Sequence, residues 1–110
     1  MQVIAYQKQI RTSARKMRLV ADAVRDLQPN KALITLKFMH KRAAEVLWKV
    51  VRQAVSNAVN NNDLKSADLR FKHIMIEEGP TYKRFRAASR GRAREILKRT
   101  CNIKVVLDTK

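Results

Sequence analysis

From Glu77 to Thr100 the chain reads EEGPTYKRFRAASRGRAREILKRT, a basic stretch set between two apolar runs, LRFKHIMIE ending at Glu77 and IKVVL beginning at Ile103. Between Lys83 and Arg99 it holds eight Lys or Arg side chains and one acid, Glu95, in 17 positions. Such a segment cannot build a core of its own, because each cation loses hydration on burial unless an anion pairs with it. It also cannot drift away as a tail. Ile96, Leu97 and the closing run Ile103 to Leu107 require the chain to return to the domain, so the stretch is expected to form an arm with both ends rooted. Gly91, near its middle, is the natural place for a positive φ and a turn. Ten extended residues from Pro80 to Arg90, at about 3.3 Å each, reach roughly 30 Å. The expected arm therefore projects from the body, spans about residues 78–100, and is ordered at its far part by a partner.

The body is equally unbalanced in charge. The 110 residues carry 25 Lys and Arg against nine Asp and Glu, a formal charge of +16, with a pI near 11.0. Outside Lys83 to Arg99 there remain 17 bases and eight acids, so the whole surface is basic and a nucleic-acid partner is implied. The length suits one domain over residues 1–110. A single cysteine, Cys101, excludes a disulfide framework, reads as a small buried hydrophobe and fits a reducing, cytoplasmic-type compartment. The N-terminal MQVIAYQKQIRTSARK has no apolar run long enough for a signal peptide or a membrane span. Its basic, Ser/Thr-containing character is similar to that of a transit peptide, but it merges into a helical pattern and is read as mature protein.

Taken in order, Gln2 to Gln9 alternates loosely and suggests an edge strand. Thr12 or Ser13 can cap a helix over SARKMRLVADAVRDL, in which Met17, Val20, Ala21, Val24 and Leu27 form one apolar stripe. Pro29 breaks this pattern, and Asn30 is a candidate cap for a second helix from about Lys31 to Met39. There Ala32, Ile34, Leu36 and Phe38 also fit strand alternation. The longest periodic segment, Ala43 to Val59, is the expected core helix, ended by Asn60, Asn61, Asn62 and Asp63. Leu69 to Glu77 and Ile103 to Leu107 read as antiparallel strands.

Chemistry is poorly supported. Glu77 and Glu78 are neighbours whose side chains point to opposite faces of a strand, so they form no acid dyad. His40 and His73 have no zinc-type spacing with Cys101, and with only Gly79 and Gly91 there is no Gly-rich phosphate loop. No enzyme, cofactor or metal is expected. Trp48 and Phe38 could stack on bases, but Trp48 stands among Leu47, Val50 and Val51, and core packing is favoured. Tyr82 and Phe85 lie among Lys83, Arg84 and Arg86, an interleaving of aromatics and cations suited to unpaired bases flanked by phosphates.

In order and spacing, RTSARKMRLVADAVRD, AVSNAVNN, EEGPTYKRFRAASRGRAREILKRT and the final IKVV resemble the bacterial-type large-subunit ribosomal protein L22 family across essentially the entire chain. The resemblance implies an α+β fold, three helices packed on a small three-stranded antiparallel sheet with a long protruding basic β-hairpin. It implies binding to large-subunit ribosomal RNA beside neighbouring ribosomal proteins, in a cytoplasmic or organellar ribosome, with the hairpin lining the nascent-peptide exit tunnel. Arg11, Thr12, Ser13, Lys16 and Arg18 match the family's N-terminal RNA-contacting motif, and Gly79, Pro80, Lys83, Arg84, Gly91 and Arg92 match its hairpin. Adding the other cations and aromatics of these segments, the expected RNA-binding set also includes Arg15, Tyr82, Phe85, Arg86, Arg90, Arg94, Lys98 and Arg99. The tunnel-lining tip is expected at Arg86, Ala87, Ala88, Ser89, Arg90 and Gly91. Two departures stand out. Ala87 and Ala88 replace a Pro-Arg pair found in many members, which predicts a less crowded tip, and Asp26, Leu27 and Gln28 stand where the first helix often ends in Gly.

No membrane partner and no homo-oligomer are expected; the basic stretch lacks the apolar face a membrane-surface segment needs. A rival reading is a winged-helix DNA-binding module, with Lys41 to Val59 as recognition helix and the hairpin as wing. That helix looks too apolar for the role, and a roughly 30 Å arm is long for a wing.

Overall fold

A strand whose alternate residues are apolar must cover one face, and in the computed structural model that cover is three helices. The structure describes residues 2–87, 91 and 93–109, with the side chains at 85–87 and 93–95 outside that description. The order is β1 (Gln2–Ile10), α1 (Ala14–Val24), α2 (Pro29–Phe38), α3 (Arg42–Asn62), β2 (Leu69–Glu78), β3 (Tyr82–Ala87), β4 (Ala93–Lys98) and β5 (Cys101–Thr109). The sheet runs β1-β5-β2, all antiparallel, while β3 and β4 form a separate two-stranded ribbon. The expected α+β class, the edge position of β1 and the β2–β5 pairing are all present.

The last strand to be made is the central one. Ile103, Val105 and Leu107 of β5 point inward together with Val3 and Ala5 of β1 and Ile74 and Ile76 of β2, and all are buried. Met17, Val20, Ala21 and Val24 of α1 and Leu47, Val50, Val51, Ala54 and Ala58 of α3 close the other side. Burying each larger aliphatic side chain contributes about 1.5–3 kcal/mol. With its apolar stripe committed to the sheet, α3 cannot serve as the recognition helix of a winged-helix module.

Several boundaries differ from expectation for identifiable reasons. Helix α1 stops at Val24, three residues early, and leaves through Arg25 in right-handed conformation, with the Leu27 N–H bonded to the Val24 carbonyl at 3.1 Å. No residue there has positive φ, so a terminal Gly is not needed. Pro29 does not interrupt but opens α2: a first-turn N–H has no helical partner to lose, and the Gln28 side chain, not Asn30, supplies the cap. Helix α2 is apolar on two sides, with Pro29, Ala32 and Leu36 buried and Ile34 and Phe38 exposed, which is why it mimicked alternation. Asn60, Asn61 and Asn62 continue α3, and Asp63 takes the left-handed position, φ 53°. Ile96 and Leu97 stay 38% and 44% exposed on the ribbon and do not belong to the core; Thr100 and Cys101 bring the chain back.

The ribbon pairs Tyr82 with Lys98 through Ala87 with Ala93, about 20 Å of paired strand. Gly91 has φ 69°, as a turn there requires. The rest of the expected reach and the tip at residues 88–90 lie outside the described residues. The described chain extends 62 × 24 × 18 Å, with a radius of gyration of 16.9 Å, against about 13 Å for a compact domain of this length.

Candidate nucleic-acid interface

The start of α1 is built by a tight turn. The Thr12 N–H donates to the Ile10 carbonyl at 2.8 Å, and the Ser13 hydroxyl accepts from the Lys16 N–H at 3.3 Å. Ala14 and Met17 anchor the first turn in the core, which leaves Arg11, Arg15 and Lys16 exposed, Thr12 nearly buried and Ser13 half-buried. Two other segments arrive beside this turn: the α2–α3 joint and the end of β4. Together they enclose an open groove of about 790 Å³, lined by Arg11, Lys16, Lys41, Arg42, Lys98 and Arg99 with Leu19 and Leu97 between them. No carboxylate lines it among the described residues. Six cations fixed around one groove by a packed core repel one another, and a polyanion lying among them relieves that repulsion.

The root of the ribbon is a second, more rigid feature. Gly79 N–H donates to the Thr100 carbonyl at 3.0 Å, and the buried Thr100 hydroxyl donates to the Pro80 carbonyl. A Cβ on Gly79 would stand 2.6 Å from Thr100 Oγ1 and 3.3 Å from Asn102 Oδ1. Glycine is required here by space. A bulge in β1 adds to the joint: Gln9, at φ 56°, donates its N–H to Asn102 Oδ1 at 2.9 Å and accepts the Tyr82 hydroxyl on its side chain at 3.4 Å. Arg84 lies over the Tyr82 ring at 6.0 Å. Tyr82 is thus a half-buried brace at the root. Arg15 lines a smaller hollow at this root with Ser13, Glu78 and Arg99.

The expected binding residues are not all gathered in one place. Arg11, Thr12, Ser13, Lys16, Lys98 and Arg99 share the groove, and Lys83 and Arg84 are exposed on the ribbon. Arg18 faces another way: its guanidinium donates to the Ile76 carbonyl at 3.1 Å, in a hollow shared with Asp22, Arg25 and Glu77. The side chains of Phe85, Arg86 and Arg94, the tip residues Ala88, Ser89 and Arg90, and Arg92 lie outside the described residues. Sequence reasoning missed Lys41 and Arg42. Their signal was the run His40-Lys41-Arg42 at a helix joint, where consecutive cations sit on a turn held by buried neighbours on both sides.

Beneath the root, Cys101 is fully buried and free. Burial pushes its thiol pKa up, partly opposed by the charge of Arg18. His40 and His73 are exposed, and among the described residues no group of His, Cys, Asp and Glu could hold a metal. No helix among them is long and apolar enough to cross a membrane.

The model of one family, described as Ribosomal protein L22p/L17e, matches residues 5–108. The chain is 50% identical over 98 residues to the large ribosomal subunit protein uL22 of Mycoplasma capricolum subsp. capricolum, covering 89% of this chain and 88% of that protein. It is 46% identical over 107 residues to the protein of the same name from Mesoplasma florum, covering 97% and 96%.

Proposed function

The chain belongs to the ribosomal protein L22p/L17e family, and we propose that it acts in the large ribosomal subunit by binding large-subunit ribosomal RNA through the six-cation groove and the basic ribbon. It is a structural constituent of the ribosome and not an enzyme. The observation that carries the RNA reading is the convergence of Arg11, Lys16, Lys41, Arg42, Lys98 and Arg99, from three separate segments, on a groove without a lining carboxylate among the described residues.

The division of labour follows from rigidity. Arg11, Lys16, Lys41 and Arg42 of the groove sit on or beside helices anchored in the core, and Lys98 and Arg99 stand at the hydrogen-bonded root of the ribbon, so they meet RNA phosphates with little ordering cost on their own backbone. The ribbon has little packing beneath it, and an isolated two-stranded hairpin is marginal in water, so RNA completes its order. Arginine dominates along it because the planar guanidinium can bridge phosphate oxygens or stack on a base. Placed between RNA segments, the ribbon neutralises phosphates that would otherwise repel, and its tip, from Arg86 to Gly91, lines the nascent-peptide exit tunnel. Neighbouring ribosomal proteins and the nascent peptide are its other partners; the chain works as a single copy.

The test is salt dependence. Replacing Arg11, Lys98 and Arg99 together by Ala should leave folded stability within about 0.5 kcal/mol while weakening binding to a large-subunit RNA fragment. The slope of log affinity against log salt should fall by roughly two to three, since each lost phosphate contact removes close to one. An unchanged slope with a folded variant refutes the groove as the RNA surface. A crosslinker at Ser89 that never captures nascent chains on assembled ribosomes refutes the tunnel assignment.

A further inference from the structure

Next to the six-cation groove, and sharing Lys41 and Arg42 with it, lies a second cleft of about 470 Å³ at the α2–α3 corner, also lined by Lys37, His40 and Trp48 over Leu36 and Met39. Trp48 was expected to belong to the core. It is only half-buried: it packs on the core at one side, lines the cleft, and has Arg52 over its ring at 5.2 Å. Lys37 and His40 are exposed beside it, and Glu45 is the one acid on the cleft wall among the described residues. A large aromatic surface set among cations, at the end of a groove that carries phosphates, is the arrangement that takes a base out of a single strand.

We infer that the α2–α3 cleft binds an unpaired RNA base against Trp48, with its flanking phosphates on Lys37 and on the shared pair Lys41 and Arg42. The inference rests on the RNA-binding reading of the groove and adds to it a requirement for single-stranded RNA at this corner. Continuity decides the occupant. Lys41 and Arg42 face both hollows, so a strand held by its phosphates in the groove continues into the cleft without leaving cationic surface. The cleft wall combines an apolar floor with excess positive charge, which an acidic backbone bearing flat apolar bases complements. The groove alone reads charge and accepts duplex or single strand alike, whereas the cleft accepts only a base that is not already stacked in a helix.

Trp48 is the sole tryptophan in the chain, so its emission reports on the cleft directly. The full chain is titrated with a single-stranded oligoribonucleotide and with a blunt RNA duplex, at matched phosphate concentration and salt. Single strands should quench Trp48 on binding, and the duplex should bind, by anisotropy, with little quenching. The exposed Lys37→Glu substitution and the aromatic-removing Trp48→Leu should each weaken single-strand binding roughly tenfold, the scale of one base–aromatic contact, and leave duplex affinity within about twofold. Lys37→Glu keeps the test decisive should Trp48→Leu fail to fold, because Lys37 is an exposed side chain. Binding of both RNAs with unmoved Trp48 emission and no effect of Lys37→Glu overturns the cleft alone and leaves the groove standing. Quenching by an acidic peptide equal to that by single-stranded RNA overturns it in favour of a protein partner. Failure of both RNAs to bind overturns the groove, and the cleft falls with it.

Discussion

The three-stranded sheet and the two-stranded ribbon use the same antiparallel pairing, and they differ in what lies behind it. Strand β5 has neighbours on both sides and α1 and α3 against one face, so Ile103, Val105 and Leu107 lose all contact with water. Among the described residues, strands β3 and β4 pair only with each other, and Ile96 and Leu97 remain substantially exposed. The sheet is stabilised by burial from within the chain. The ribbon holds Lys83, Arg84 and Lys98 outside that burial and is fixed at its root by Gly79, Thr100, Tyr82 and Gln9. Burial within the sheet can hold the fold while the ribbon stays open to a partner, as the proposed RNA binding requires.

The largest expected effect would break this contrast if it failed. Leu47→Ala, at a side chain with no exposure in α3, should cost about 2–5 kcal/mol in urea unfolding. Leu97→Ala on the ribbon should cost less than about 0.5 kcal/mol. Equal costs at the two positions would mean that the ribbon carries a core of its own.

An intermediate effect tests the joint between the two regions. Gly79→Ala forces a Cβ against the buried Thr100 side chain, which should destabilise by about 1–3 kcal/mol. Because the same contact sets the exit of the ribbon, RNA affinity should fall as well, measured at a temperature where the variant is folded. A variant with unchanged melting temperature and unchanged affinity would show that the root is held elsewhere.

The smallest effect lies beneath that joint. The buried Cys101 thiol has its pKa raised by burial, so the folded state favours the neutral form. Its stabilising contribution is complete below the unfolded thiol's pKa of about 8.5 and declines as the pH rises above it. The stability difference between the native chain and Cys101→Ala should therefore be level from pH 6 to 8 and shift against the native chain above that range, in urea titrations at each pH. A difference that stays level to pH 10 would place the thiol in contact with water and the root in a looser state.

Much of the fold was legible because period and charge are local properties. The stripe Met17, Val20, Ala21, Val24 could only be one face of a helix, and LRFKHIMIE and IKVVL could only be strands flanking a basic insertion. What was not legible depended on distant partners. Nothing near Pro29 in the chain reveals that Gln28 can cap a helix there. Ile34 and Phe38 could be told from Ala32 and Leu36 only after one side of α2 had met α3. Four of the six groove cations were visible in the motif Arg11 to Lys16 and the run Lys98-Arg99, while Lys41 and Arg42 joined them only when the α2–α3 corner folded against both.

By itself, the sequence determined that this chain would be a basic α+β protein with a basic ribbon rooted between two strands, because hydrophobic spacing and the cost of burying unpaired cations leave little else open. Tertiary structure alone decided which cations come together. Lys16 and Lys98 lie 82 positions apart and share one groove, while Arg18, two positions from Lys16, turns back to hold β2. The reason is geometric: a helix sends residues two apart toward different sides, so neighbours in the chain separate and distant cations meet.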